Sequence, residues 1–258
     1  MKTLSSMIWI ELRKALRSRV PLFTAIGSLF APLGIGFLLF VSMNPEISRQ
    51  MGLISTKASL LADTAANWTV YLGMFAQILA LGGFMLTAMI AVWVFGREFS
   101  DATLKDLLAV PVRRADILLA KFVVVAIWSA ALGALIFGLG LLLGLLFQLP
   151  GGSTDVLLQG LARVSISTCL GIIAGLPFAF FASLGRGYLL PVGMLMVTMI
   201  ITQLVMAAGW GDYFPWAILG IYAQEEPLGP VSFVILALTS LAGISATLWW
   251  WHSADQNR

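Results

Sequence analysis

The stretch WTVYLGMFAQILALGGFMLTAMIAVWVF, Trp68–Phe95, runs 28 residues without an Asp, Glu, Lys, Arg or His. A helix rising 1.5 Å per residue needs about 20 such residues to cross a hydrocarbon layer about 30 Å thick. This stretch is long enough, and it lacks the alternating polarity of a membrane strand. Five further charge-free stretches flank it: Val20–Met43, Phe122–Phe147, Val164–Leu184, Tyr188–Trp210 and Val231–Trp251. The first exceeds the roughly 7–15 apolar residues of a secretory leader, so it reads as a membrane anchor. The 258-residue chain as a whole is 60% hydrophobic and 10% charged, with a mean hydropathy of +0.96. A soluble domain carries about 25% charged residues, so the composition excludes one, and it excludes a disordered chain as well. The single cysteine, Cys169, excludes a disulfide-stapled scaffold. The expectation is an all-α polytopic membrane protein, one transmembrane domain over residues 1–258 with six membrane helices.

Charge placement sets the expected orientation. Twelve Lys and Arg fall in residues 1–19, in Gly96–Lys121, at Arg186 and at Arg258, whereas Arg49, Lys57 and Arg163 fall on the other side. Short loops rich in Lys and Arg stay inside, which predicts cytoplasmic termini; the expected location is a cell membrane, a bacterial cytoplasmic one. The segment 209–230, with Asp212, Glu225 and Glu226 and no basic residue, then faces outward. Before the first span, Leu4, Ile8, Leu12, Ala15 and Leu16 share one helical face and Arg13, Lys14 and Arg17 lie away from it. That pattern predicts an amphipathic helix over 1–19 in the headgroup plane, its basic groups toward anionic lipid, with a partner contact as the alternative. The apolar run Phe214–Tyr222 is too short to span. It reads either as a re-entrant segment before the sixth helix or as an interfacial aromatic belt.

The connection between the second and third spans, GREFSDATLKDLLAVPVRRADILLAK over Gly96–Lys121, is 26 residues long, where a plain helix connection needs about 2–8. Ser100 or Asp101 can cap a helix. Leu104, Leu107 and Leu108 form an apolar ridge on it, and Pro111, with no amide to donate, ends it. A further turn near Ala115–Asp116 leads into the third span. The expectation is a short, capped helix at 101–110, held between two membrane helices.

In its order of residues this connection resembles the cytoplasmic loop of ABC-2 type transporter permeases, the membrane subunits of ATP-binding-cassette exporters. Glu98, Thr103, Leu107, Leu108, Pro111 and Arg114, then Ile117, Leu118, Leu119 and Lys121, follow the family's sequence of acidic residue, Thr, Leu-Leu, Pro, Arg and Ile-Leu-Leu-x-Lys. Ala102 departs from it, standing where the family often has Gly. The resemblance also covers the amphipathic first helix, the six spans and the short apolar segment before the last. It implies a coupling helix seated in a cleft of a cytoplasmic ATPase subunit, two copies per complex, with Glu98, Thr103, Leu104, Leu107, Leu108, Pro111 and Arg114 as partner contacts or helix-shaping positions. It also implies a second permease chain, identical or homologous, beside this one in the bilayer.

The chain carries no phosphate-binding GxxxxGK[ST] loop, so ATP and Mg would be bound by the partner subunit and no cofactor by this chain. It has no HExxH and no GxSxG, and one histidine, His252, cannot build a zinc site. These absences argue against an enzyme, and the resemblance implies a transport subunit, with no nucleic-acid partner expected. No ionisable residue falls inside a span, which argues against an ion-coupled transporter. Gln77 and Gln203 are candidate pathway-lining residues, with interhelical hydrogen bonding as the plainer role. Asn67-Trp68-Thr69 matches a glycosylation sequon that abuts the membrane. Gly140–Gly144 and Gly171–Gly175 offer close helix packing, and Pro32, Pro177 and Pro191 predict kinks in spans one, four and five. The expected function is an exporter permease for an amphipathic or hydrophobic cargo (peptide, drug or lipid-like). The alternative is a membrane scaffold that does not transport.

Overall fold

The structure is a computed structural model and describes residues 2–44, 67–103 and 111–253. The described residues form helices and connections, with no strand among them. The helices are α1 (Lys2–Arg17), α2 (Val20–Met43), α3 (Trp68–Ser100), α4 (Arg114–Leu146), α5 (Thr154–Gly175), α6 (Phe178–Leu184), α7 (Leu189–Ala207), α8 (Ala217–Ala223) and α9 (Pro230–Ser253). Six spans are long and apolar enough to cross a membrane: α2, α3, α4, α5 with α6, α7 and α9.

Several helices outrun the apolar stretches that predict them. Helix α3 continues past Phe95 to Ser100, α4 begins at Arg114 rather than Phe122, and the fourth span begins at Thr154 rather than Val164. Local chemistry accounts for the ends. The Asn67 side chain accepts from the Val70 amide at 3.0 Å and Ser153 caps α5 through Val156, so Asn67 of the sequon serves here as a helix cap. Pro191 sits in the first turn of α7, where its missing amide costs nothing, so the kink expected there is not needed. Pro32 lies inside α2, which remains one helix.

Helix α3 is the central element and packs chiefly against α5. The contact face of α5 is a row of small residues, Gly160, Ser167, Gly171, Ala174 and Gly175, with Val164 among them. A Cβ at Gly171 would stand 3.0 Å from the Phe84 backbone nitrogen, so the two backbones nearly touch. Gly140 and Gly144 of α4 receive aromatic side chains from α3 instead. Phe75 covers Gly140, Trp68 covers Gly144, and the Tyr71 hydroxyl donates to the Gly140 carbonyl at 2.7 Å. Both GxxxG pairs are therefore consumed within the chain.

Pro177 breaks the fourth span into α5 and α6, as expected, and the break is tied off by neighbours. Lacking an amide, Pro177 leaves the Ile173 carbonyl unpaired in its helix, and Ser240 of α9 donates to that carbonyl at 2.7 Å. One residue on, the Trp216 indole donates to the Ala174 carbonyl at 3.1 Å. Trp216 leads into α8, whose residues Ala217, Ile218, Leu219 and Ala223 are buried against α3, α5, α7 and α9. The run Phe214–Tyr222 thus packs into protein through α8 rather than forming only an exposed aromatic rim.

Candidate coupling site

The site is built where α1, the end of α3 and the start of α4 meet. On α1 the buried residues are Met7, Glu11 and Ala15, with Leu4, Ile8 and Leu12 partly covered, and they pack on α4. Leu16, expected on that face, is 65% exposed together with Trp9. The helix is rotated from the expected setting because its packed face is centred on Glu11, the only acidic residue in the segment. Burying a carboxylate is costly unless it is paired, and here it is.

The Lys121 ammonium, fully buried, donates to Glu98 Oε1 at 2.7 Å, to Glu11 Oε2 at 3.1 Å and to the Val94 carbonyl at 3.2 Å. Its three donors are thereby used. Lys14 reaches Glu11 at 2.9 Å and Glu98 at 3.5 Å, and Arg97 stands 3.6 Å from both carboxylates while stacking over the Trp93 ring at 4.7 Å. Burial works against ionisation of Glu11, but Lys121 and Lys14 beside it outweigh that and hold its pKa below the usual carboxylate value. Three cations and two anions thus tie three helices together at one end of the bundle.

Beyond Glu98 the chain leaves α3 through a tight cap. The Thr103 amide donates to the Glu98 carbonyl at 3.1 Å and the Ala102 amide to the Phe99 carbonyl at 3.3 Å, the paired bonds of a Schellman ending. Such an ending needs a left-handed residue, and Ala102 supplies it at φ 55°. This is the position at which the sequence departs from the expected glycine. Replacing Ala102 by Gly is expected to stabilise the chain by about 1 kcal/mol, since a Cβ is disfavoured in that conformation. A raised thermal midpoint in detergent checks this, and an unchanged or lowered one contradicts it.

The residues proposed from sequence fall into separate places. Glu98 is buried, its second oxygen accepting from the Thr103 hydroxyl at 2.7 Å, so it shapes the end of α3 and does not present a surface. Ser100 is the last residue of α3 and Asp101 its C-cap, so neither opens a helix in the way expected. Leu104, Leu107 and Leu108, and most of the helix expected at 101–110, lie outside the described residues. Pro111 is exposed just before α4. The Arg114 guanidinium donates to the Trp251 carbonyl at 3.2 Å and the His252 carbonyl at 3.5 Å, closing the end of α9. There the Trp251 indole donates to Ser183 at 2.8 Å and Phe99 meets Trp250 and Trp251 edge to face. Gln77 and Gln203 are both exposed on the bundle, and neither makes a hydrogen bond to another helix among the described residues.

Sequence reasoning missed Glu11, Lys14 and Arg97 as members of the cluster and took Lys121 only as the start of a helix. One signal was available: a lone carboxylate on the apolar face of an amphipathic helix requires a buried cation. Among the described residues no group of His, Cys, Asp and Glu is arranged to hold a metal.

Two comparisons with known proteins bear on this arrangement. Residues 7–202 match the family described as ABC-2 family transporter protein. The chain is also similar to the bacitracin transport permease protein of Bacillus licheniformis, at 29% identity over 183 residues, covering 69% of this chain and 88% of the relative.

Proposed function

The chain belongs to the ABC-2 family of transporter proteins and is a multi-pass membrane permease, and on that premise we propose that it serves an ATP-driven exporter. Its engine is a separate cytoplasmic ATPase, present in two copies and holding ATP and Mg. A second permease chain, identical or homologous, completes the pathway. The cargo is amphipathic or hydrophobic; the relative is named for the transport of bacitracin. In this reading both termini are cytoplasmic, α1 lies at the cytoplasmic headgroups, α8 and its approach are re-entrant from the outer side, and the membrane is the bacterial cytoplasmic one. Gln77 and Gln203, exposed on the bundle, are proposed to line the pathway.

The observation that carries the proposal is the bracing of both ends of the 96–121 connection. Its start is fixed through Glu98 to Lys121 and Glu11, and its end through Arg114 to the last turn of α9. A push on residues between these points is delivered to α1, α3, α4 and α9 together. The leucines Leu104, Leu107 and Leu108 are the proposed anchors in the ATPase cleft, a helix-in-groove contact. Changing Leu107 and Leu108 to Asp is expected to reduce transport at least 10-fold and to release the ATPase from a mild-detergent pull-down, with the permease still inserted and thermally stable. Undiminished transport in that variant would contradict the coupling role. A permease that retains no ATPase under any gentle condition would favour the scaffold reading.

A further inference from the structure

One polar side chain from each of the three central spans lines a small void inside the bundle: Thr87 of α3, Ser129 of α4 and Thr168 of α5. The void measures about 10 Å³, close to the least that admits one water molecule. Thr87 is 1% exposed and Ser129 6%, and the hydroxyl oxygens of both are without a hydrogen-bond partner. Buried hydroxyls left in that state are unfavourable and uncommon. Packing fixes the orientation of the first. A Cβ at Gly175 would stand 2.7 Å from the Thr87 methyl, so that methyl is seated on α5 and the hydroxyl is left for the void. The Thr168 hydroxyl donates to the Val164 carbonyl at 2.8 Å and keeps its lone pairs to accept. The rest of the wall, including Leu79, Leu132, Ile136 and Ile172, is apolar and offers the two hydroxyls no other side-chain partner.

We propose that a single water molecule is bound here, accepting from Thr87 and Ser129 and donating to Thr168. The site is polar, water-sized and supplies three partners, which is what a buried water requires. It joins α3, α4 and α5 through an exchangeable contact inside the bundle.

Thr87→Val, Ser129→Ala and the double variant of the full chain, purified in detergent, test this by thermal unfolding followed through tryptophan fluorescence. Each single change should lower the midpoint by about 2–4 °C, because it leaves the other hydroxyl and the water short of a partner. The double change should lower it by clearly less than the sum, since the water leaves with its second partner. Thr87→Ser, which keeps the hydroxyl and so the water, should instead combine additively with Ser129→Ala. Additive shifts for Thr87→Val with Ser129→Ala, or no shift in those single variants, would overturn the proposal. An experimental structure that resolves ordered water gives a second reading. Density within hydrogen-bond distance of both hydroxyls supports the site, and hydroxyls turned onto their own helix carbonyls beside an empty void overturn it.

Discussion

Lys121→Met is expected to lower the stability of the chain by about 3–5 kcal/mol, the range seen when one member of a buried ion pair is removed. Net stabilities of domains are about 5–15 kcal/mol, so this would take away a large part of the total. The lysine is fully buried and its ammonium is the closest cation to Glu98, at 2.7 Å. Methionine fills similar volume but leaves two carboxylates in a dry site. Lys14 and Arg97 remain near them, with side chains 37% and 12% exposed, and they soften the loss without replacing the bond. The loss therefore belongs at the lower end of the range. The triple change Lys121→Met, Glu98→Gln and Glu11→Gln should recover much of it, because neutral amides no longer demand a cation. Thermal unfolding in detergent separates these cases. A Lys121→Met chain with the native midpoint would show that the cluster does not brace the three helices.

Gly243→Ala is the second large effect, expected to cost about 1–3 kcal/mol through overpacking. In an exposed helix the same change would gain about 1 kcal/mol from propensity. Here the added Cβ would stand 2.6 Å from the Cα and the Cβ of Pro177, a backbone that cannot swing aside like a long side chain. The pair α9 and α5 would have to part, and the 2.7 Å bond from Ser240 to the Ile173 carbonyl lies on the same contact. Gly138→Ala in α4, where an added Cβ meets nothing within 4 Å, is the control and should be neutral or mildly stabilising. Equal midpoints for the two variants would refute the argument from close approach.

The spans were legible because a run of about 20 apolar residues has few other uses, and all six emerge within the described helices. Their ends were less so. Absence of charge marks where lipid begins, whereas a helix continues for as long as its polar residues find partners. Arg97, Glu98 and Lys121 find them in one another and in Glu11, so α3 and α4 extend several residues past the apolar stretches. The break at Pro177 was readable from the residue itself. Its closure by Ser240 and Trp216 depends on which helices lie alongside, and no local pattern carries that. Ala102 shows a third kind of limit: a left-handed helix ending signals itself through glycine, and alanine in that role gives no signal.

The buried pairing of Glu11 with Lys121 also imposes an order on how the chain comes into being. The two residues are 110 positions apart, and a ribosome adding about 5–20 residues per second separates their appearance by about 5–20 s. Throughout that interval α1 has its carboxylate and its neighbour Lys14, but neither Lys121 nor the helix it packs on. Helix α1, made before the spans it packs on, is therefore among the last to settle, waiting at the surface until α4 has been delivered. A nascent chain arrested before residue 121 would leave α1 undocked, and one arrested after the third span would allow it to close.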